Sequence, residues 1–218
     1  MKFIDIHTHQ NNSAKDVLSI RNYILGIDTV QTDSAFSMGI HPWYLKVDTG
    51  LLEKLAGDNK NNPNWKALGE CGLDYMPDTL KKFDKNVQEK YFLQQIKDAG
   101  KYAKPLVIHC VKCFDRLLKI KKKNDNNQIW IVHGFSKNKA LAQQLLDAGF
   151  YLSFGAHLFK SKTNQEALRY TPMERLFLET DAQTQYDIKA IYQFAAQVKN
   201  VSLQEITKQI FYNYSTIL

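Results

Sequence analysis

Long hydrophobic runs are missing from this sequence: no stretch of its 218 residues approaches the roughly 20 apolar positions that a bilayer-spanning helix needs. Met1-Lys2 leads straight into an apolar strand pattern with no signal-peptide core, so a cytoplasmic location and no membrane partner are expected. Cysteine is scarce as well. Cys71, Cys110 and Cys113 are odd in number and fit no secreted disulfide framework, which agrees with a reducing compartment. Cys110 and Cys113 form one C-x-x-C, but with no second cysteine pair a structural zinc site is not expected, and both thiols read as packing. Equally absent are G-x-G-x-x-G and the P-loop pattern, which leaves an open doubly wound sheet without motif support.

What is present is a hydrophobic content of 44%, enough to bury a substantial core, and the length fits one domain over residues 1–218. The 29 Lys and Arg against 22 Asp and Glu give a formal charge of +7. That excess attracts polyanions at long range without establishing a nucleic-acid binder. The densest run, Lys119 to Lys123, falls near the end of an expected helix, where cations complement the helix dipole.

Short apolar runs punctuate the chain. Strands are expected at Phe3 to His9, Asn22 to Ile27, Phe36 to Ile40, Ala67 to Leu73, Leu106 to His109, Ile129 to His133, Phe150 to Phe154 and Leu176 to Leu178. Between several of them lie helical patterns. The longest runs from about Asp84 to Ala103, with Val87, Tyr91, Phe92, Ile96, Ala99 and Ala103 at helical spacing; others follow at Phe114 to Lys122 and Asn138 to Ala148. Two more close the chain, the second opened by a Ser202-x-x-Glu205 capping box. Alternating strands and helices, with strands apolar on both faces, predict an α/β, TIM-like (β/α) barrel.

Six ionisable residues sit where an apolar run ends: His7 and His9, Glu70, His109, His133 and Asp181. In a barrel of this kind the active site lies at the C-terminal ends of the strands, which is where all six fall. His7 and His9 are two apart on a strand and share a face. Buried imidazoles and carboxylates cost free energy unless paired or coordinated, so the set reads as metal ligands. Six ligands exceed what one zinc-like ion accommodates with room for water, and two divalent ions are expected. Glu70, the one glutamate of the set, is the natural bridge, with His7, His9 and Asp181 on the first ion and His109 and His133 on the second. A pair of ions about 3.5 to 4 Å apart acidifies bound water and stabilises a leaving oxygen, which is hydrolytic chemistry.

The motifs His7-Thr8-His9, Gly39-Ile40-His41-Pro42, Gly69-Glu70-Cys71-Gly72-Leu73-Asp74-Tyr75, Val107-Ile108-His109-Cys110, Val132-His133-Gly134-Phe135-Ser136 and Leu178-Glu179-Thr180-Asp181 resemble, in order and spacing, those of the TatD family. Gln88, Phe92 and Gln95 on the long helix and the segment Asp147 to Gly155 are similar to family features too. The resemblance implies a metal-dependent hydrolase of the amidohydrolase-like barrel superfamily, commonly a deoxyribonuclease that removes nucleotides from DNA ends. It implies DNA as substrate and calls for no obligate protein partner. Asp181 is then the proton acceptor from the attacking water as well as a ligand, and Glu70 its catalytic companion. His41 resembles a position near the substrate phosphate, and Lys112 and Tyr75 are further candidates for substrate binding.

The chain departs from the family pattern in places. The interval from His9 to His41 is short, so a helix after the first strand and a regular second β/α unit are expected to be missing. Where family members carry Arg two residues after the histidine matching His109, this chain has Val111, with Lys112 beside it, and Lys does not bind phosphate bidentately as Arg does. Gln183 and Gly134 replace a family Pro and Cys in loops. His157 matches no family ligand and reads as an exposed loop histidine. Asp5 is either an acceptor for an imidazole N–H or a cap for local backbone, and Glu179 raises the same choice. Tyr75, Trp43, Phe114 and Phe135 lie just past strand ends, either stacking on bases or packing the rim.

Two other readings stay open. Related barrels hydrolyse amides, lactones and small phosphoesters with nearly the same ligands, and fold alone does not decide between substrates. A non-catalytic protein holding metal and nucleic acid is the third. Imidazole-rich ligands favour Zn, Mn, Fe or Ni, whereas the resemblance implies activity with Mg.

Overall fold

The computed structural model describes residues 2–10, 14–124, 127–183 and 185–218. Eight strands and eight α-helices follow in chain order: β1 (Phe3–Thr8), β2 (Val17–Ile24), β3 (Phe36–Gly39), α1 (Thr49–Asp58), β4 (Trp65–Asp74), α2 (Pro77–Lys82), α3 (Lys85–Lys101), β5 (Leu106–Val111), α4 (Phe114–Lys123), β6 (Trp130–Val132), α5 (Lys139–Asp147), β7 (Tyr151–Phe154), α6 (Lys162–Tyr170), β8 (Leu176–Leu178), α7 (Ile188–Lys199) and α8 (Leu203–Ile217). The strands form one eight-stranded sheet in the order β1 to β8. Beyond β8, Asp181 bridges in parallel to Thr8 at the end of β1. This is the α/β, TIM-like barrel that the alternating pattern predicts.

The chain divides into two compact units, one of residues 1–21 with 131–218 and the other of residues 22–130. In the first, β1 and β8 are buried along nearly their whole length, as strands covered on both faces are. Its core gathers Ile4, Ile6, Phe135, Phe150, Phe154, Phe177 and Tyr192, all essentially without exposure. The Tyr192 hydroxyl accepts from the Ile4 N–H at 3.1 Å and donates to the Ile4 carbonyl at 3.0 Å, fixing β1 three residues before His7. In the second unit Trp65, Phe36, Tyr23, Phe92 and Trp130 fill the core. There Phe92 of α3 meets Trp130 edge to face, centroids 5.6 Å apart.

Helix ends follow the local chemistry of the sequence. Asp84 caps α3 by accepting from the Val87 N–H, one residue inside the expected start, and Ser202 accepts from Glu205 at the head of α8 as its capping box predicts. The expected shortening of the front holds for its helices but not for its second strand, which is present as the eight residues of β2. Among the described residues neither 9–16 nor 25–35 contains a helix. The second strand begins earlier than the apolar pattern suggests, at Val17, because its pairing with β1 starts at Phe3 with Val17 and continues through Asp5 with Ser19.

Replacing Tyr192 with Phe is expected to lower the unfolding free energy by about 1–3 kcal/mol, because two buried backbone groups of Ile4 lose their partner at once. Urea denaturation of the two proteins measures this, and an unchanged midpoint would show the clamp to be dispensable.

Candidate metal centres

In the unit that holds both chain ends, the side chains of His7, His133 and Asp181 each bring one ligand atom to within 4.8 Å of the others. His7 Nε2 and His9 Nε2 both face one Asp181 oxygen, at 3.7 and 3.5 Å. The His7 ring is perpendicular to that of His9 at 5.1 Å and tilted against that of His133 at 4.3 Å between centroids. Backbone bonds set this arrangement. The Asp181 N–H donates to the His7 carbonyl at 2.9 Å, and the His9 N–H donates to the Asp181 carbonyl at 3.2 Å. Asp181 is left-handed at φ 53°, a conformation that Asp tolerates better than most residues.

Buried carboxylates fix the residues around it. Asp5 accepts from the Thr180 N–H at 3.0 Å and from its hydroxyl at 2.7 Å. Burial pushes its pKa up to about 7 against these two bonds, so Asp5 serves the backbone beside Asp181. Glu179 Oε1 accepts from the Gly134 N–H at 2.7 Å and faces His133 Nδ1 at 3.4 Å. It therefore orients the His133 imidazole, as the carboxylate of a carboxylate–histidine–metal arrangement does.

The second unit gathers His41, Glu70 and His109 in the same way, their ligand atoms within 4.8 Å of one another. Glu70 Oε1 lies 3.0 Å from His41 Nε2 and 2.8 Å from His109 Nδ1. His109 Nε2 in turn faces Asp74 Oδ2 at 3.0 Å. Asp74 is nearly enclosed, and burial alone would raise its pKa. Bonds from His109, the Met76 N–H and the Trp43 indole reverse that, and it falls to about 2. Asp74, its carboxyl favoured in the charged form, thus stands behind His109 on the side away from Glu70.

The elements deliver these side chains through buried amides. Gln88 of α3 accepts from the Asp74 N–H at 2.7 Å and donates to its carbonyl at 2.9 Å. Gln95, two turns further along the same helix, accepts from the Ile40 N–H at 2.8 Å and donates to the Ile40 carbonyl at 3.0 Å, beside His41. Asn22 accepts from the Glu70 N–H at 2.6 Å and from Ser37 at 3.0 Å. Close backbone approach completes the frame: a Cβ at Gly39 would lie 2.7 Å from Gly69 Cα, and one at Gly72, where φ is +136°, would strike the His109 carbonyl.

Four of the six expected ligands, His7, His9, His133 and Asp181, thus meet in one unit, while Glu70 and His109 meet in the other with His41. His41 accepts the Trp43 N–H at Nδ1, 3.1 Å, which leaves its Nε2 toward Glu70. Tyr75 is half-buried and donates to Glu89 at 3.1 Å, and Lys112 is exposed at φ 58°. His157 is exposed as expected. Cys110 and Cys113 are buried thiols 3.5 Å apart, in keeping with packing. Asp74 and Asn22 were not singled out by the sequence reading. For Asp74 a signal exists, since it follows Glu70 by an even number of strand residues; for Asn22 there is none.

The donor sets suit a divalent cation. Tetrahedral ligands at the usual zinc distances are about 3.3–3.5 Å from one another, close to the 3.5 and 3.7 Å from His9 and His7 to Asp181.

Comparison with known proteins agrees. A family model described as TatD related DNase matches residues 12–218. An uncharacterised metal-dependent hydrolase of Buchnera aphidicola subsp. Baizongia pistaciae is 34% identical over 169 residues, 75% of this chain and 62% of the relative. The deoxyribonuclease Tat-D of Schizosaccharomyces pombe is 30% identical over 158 residues, 67% of this chain and 50% of the relative. The matched region therefore covers less than two thirds of either relative. Among solved structures, YjjV, a TatD homologue of Escherichia coli K12, superposes with a TM-score of 0.81 at 22% identity, covering 99% of this chain and 97% of the other. A TatD family protein of Entamoeba histolytica gives the same TM-score, 0.81, at 19% identity. These likenesses fix the fold as the α/β barrel of that family. The chain belongs to the TatD-related DNase family.

Gln88→Leu is expected to destabilise the protein by about 2–4 kcal/mol, since it strands a buried N–H and a buried carbonyl of Asp74 together. It should also weaken metal binding, as does loss of the groups that orient ligands, by roughly 10- to 100-fold. Thermal denaturation and metal titration of the same preparation read both effects; wild-type values in each would remove Gln88 from the site's support.

Proposed function

We propose that this protein is a divalent-metal-dependent hydrolase that cleaves phosphodiester bonds of DNA. The observation that carries the reading is the convergence of His7, His133 and Asp181 in one unit and of His41, Glu70 and His109 in the other, each within 4.8 Å. Family membership and the formal charge of +7, which draws a polyanion toward the surface, support it. The S. pombe relative's name, deoxyribonuclease, points to the same substrate.

On this reading two divalent ions, Mg, Mn or Zn, are held by the chain, one by His7, His9, His133 and Asp181 and the other by Glu70 and His109 with His41 adjoining. When bound, such ions lower the pKa of water, polarise a phosphoryl oxygen and stabilise the leaving oxygen. The protein's own residues do the rest. Asp181, whose side chain is 37% exposed, accepts the proton of the attacking water. Glu70 fixes the His41 and His109 rings, and Asp74 holds His109 from behind. Lys112, exposed at the end of β5, offers a cation to a phosphate, and Tyr75 adds a polar edge to the same rim.

One observation keeps a second reading in view, a small ester, lactone or phosphoester as substrate. Val111 stands where the family has Arg, and Arg116, the first arginine after it, is committed to Glu89 through both Nε and Nη2. Bidentate phosphate recognition from this strand end is then absent among the described residues.

Purified protein with Mg²⁺ or Mn²⁺ is expected to shorten an end-labelled DNA strand and to stop on chelation. Glu70→Gln and Asp181→Asn should each reduce the rate by ~10²-fold or more. Undiminished cleavage by both variants would sink the assignment, and turnover of lactones or small phosphoesters without DNA cleavage would transfer it to the second reading.

A further inference from the structure

We infer that Trp43 sets substrate preference at this site by stacking its indole on a nucleobase next to the phosphate that is cut. The inference rests on the proposed nucleic-acid substrate and adds to it a requirement for the base itself. Trp43 is 47% exposed, the most exposed aromatic residue near either group of ligands. Both of its N–H donors are nonetheless used. The backbone N–H donates to His41 Nδ1 at 3.1 Å, and the indole Nε1–H donates to Asp74 Oδ2 at 2.8 Å, the oxygen that also faces His109.

The ring is therefore held at a fixed angle among the groups that surround Glu70. Its contacts with the histidines are perpendicular, 76° to His41 at 4.8 Å and 73° to His109 at 5.8 Å between centroids. Among the described residues no ring lies parallel to it, so the flat apolar surface remains for an external partner. An oriented indole whose donor is already spent recognises a planar ring by stacking, which every base offers.

The other aromatic candidates at strand ends are less suited. Phe135 is 1% exposed and packs edge to face on Phe154. Tyr75 donates its hydroxyl to Glu89 and has the Lys85 ammonium over its ring at 5.0 Å. Phe114 is half-buried in the first turn of α4.

The molecule carries its own reporter for the test. Of its three tryptophans, Trp65 and Trp130 have no exposure, so a solvent-facing change in indole emission belongs to Trp43. A thymidine octamer and an abasic octamer of the same backbone are titrated into chelator-treated wild-type protein, and emission and affinity are recorded. The thymidine octamer is expected to quench the emission and to bind about 5- to 150-fold more tightly than the abasic one, the range that one stacked base supplies. Trp43→Leu should abolish that preference while leaving the abasic affinity in place. Trp43→Phe, which keeps a ring and loses the Asp74 bond, should retain most of it and so separate stacking from anchoring.

Equal wild-type affinity for the two octamers, or absence of quenching, overturns the inference without recourse to any variant. A base preference that survives in a folded Trp43→Leu protein overturns it too. Cleavage is read separately: base-dependent quenching without DNA hydrolysis would remove the nuclease reading and leave the stacking role, whereas hydrolysis without base preference would do the reverse.

Discussion

Two side-chain amides on one face of α3 close backbone hydrogen bonds that parallel strands leave open at their C-terminal ends. Gln88 and Gln95 are seven residues apart, two helical turns, and each answers both the N–H and the carbonyl of one strand-end residue, Asp74 and Ile40. A backbone group buried without a partner costs about 1–3 kcal/mol, so the strand ends can be enclosed only where such amides reach them. The chemistry follows from that enclosure. Asp74 and His41 lie on clamped backbone, and through them the Asp74 carboxylate, the His109 ring and the Glu70 carboxylate take fixed positions.

The electrostatics of the two units solve the same problem with different partners. A carboxylate removed from water must be neutralised or surrounded by donors. Asp5 meets burial with two bonds from Thr180 and still rises to about 7, whereas Asp74 gains enough from a histidine, an indole and an N–H to fall to about 2. Asp5 holds the Thr180 backbone and hydroxyl beside Asp181, and Asp74 faces the His109 imidazole from behind. Glu70, with both His41 and His109 against one oxygen, is placed so that a cation would relieve a crowd of nitrogen donors around a single carboxylate.

The fold and the sequence positions of the candidate ligands were legible because both are written in short-range pattern. Apolar runs of strand length ending in His, Glu or Asp mark strand ends irrespective of tertiary detail, and Asp84 and Ser202 mark helix starts by their own side chains. What stayed hidden depends on contacts distant in sequence. The sequence reading placed His133 with His109, and the structure sets it against His7 and Glu179. Asn22 serves Glu70 across 48 positions of sequence, and nothing local distinguishes it from a surface asparagine. Trp43 could be seen as aromatic and near a strand end, but its exposure and its bond to Asp74 belong to the fold alone.

Side-chain parity explains why even a correct strand assignment could not predict how the ligands divide. Alternation along a strand tells which residues share a face only while the register is unbroken. The register of β1 against β2 shifts between Asp5 and Thr8, around His7, and that of β4 against β5 shifts between Leu68 and Cys71, around Glu70. Irregularities of this kind re-aim side chains and concentrate beside functional sites. In both strands the residue re-aimed is a candidate ligand, and in β4 the shift falls where Gly69 lets the backbone approach its neighbours. The strands thus give up regular pairing at the two places where a side chain must leave the packed layers and face its site, and at Glu70 the Asn22 amide takes the N–H that a continuous ladder would have used.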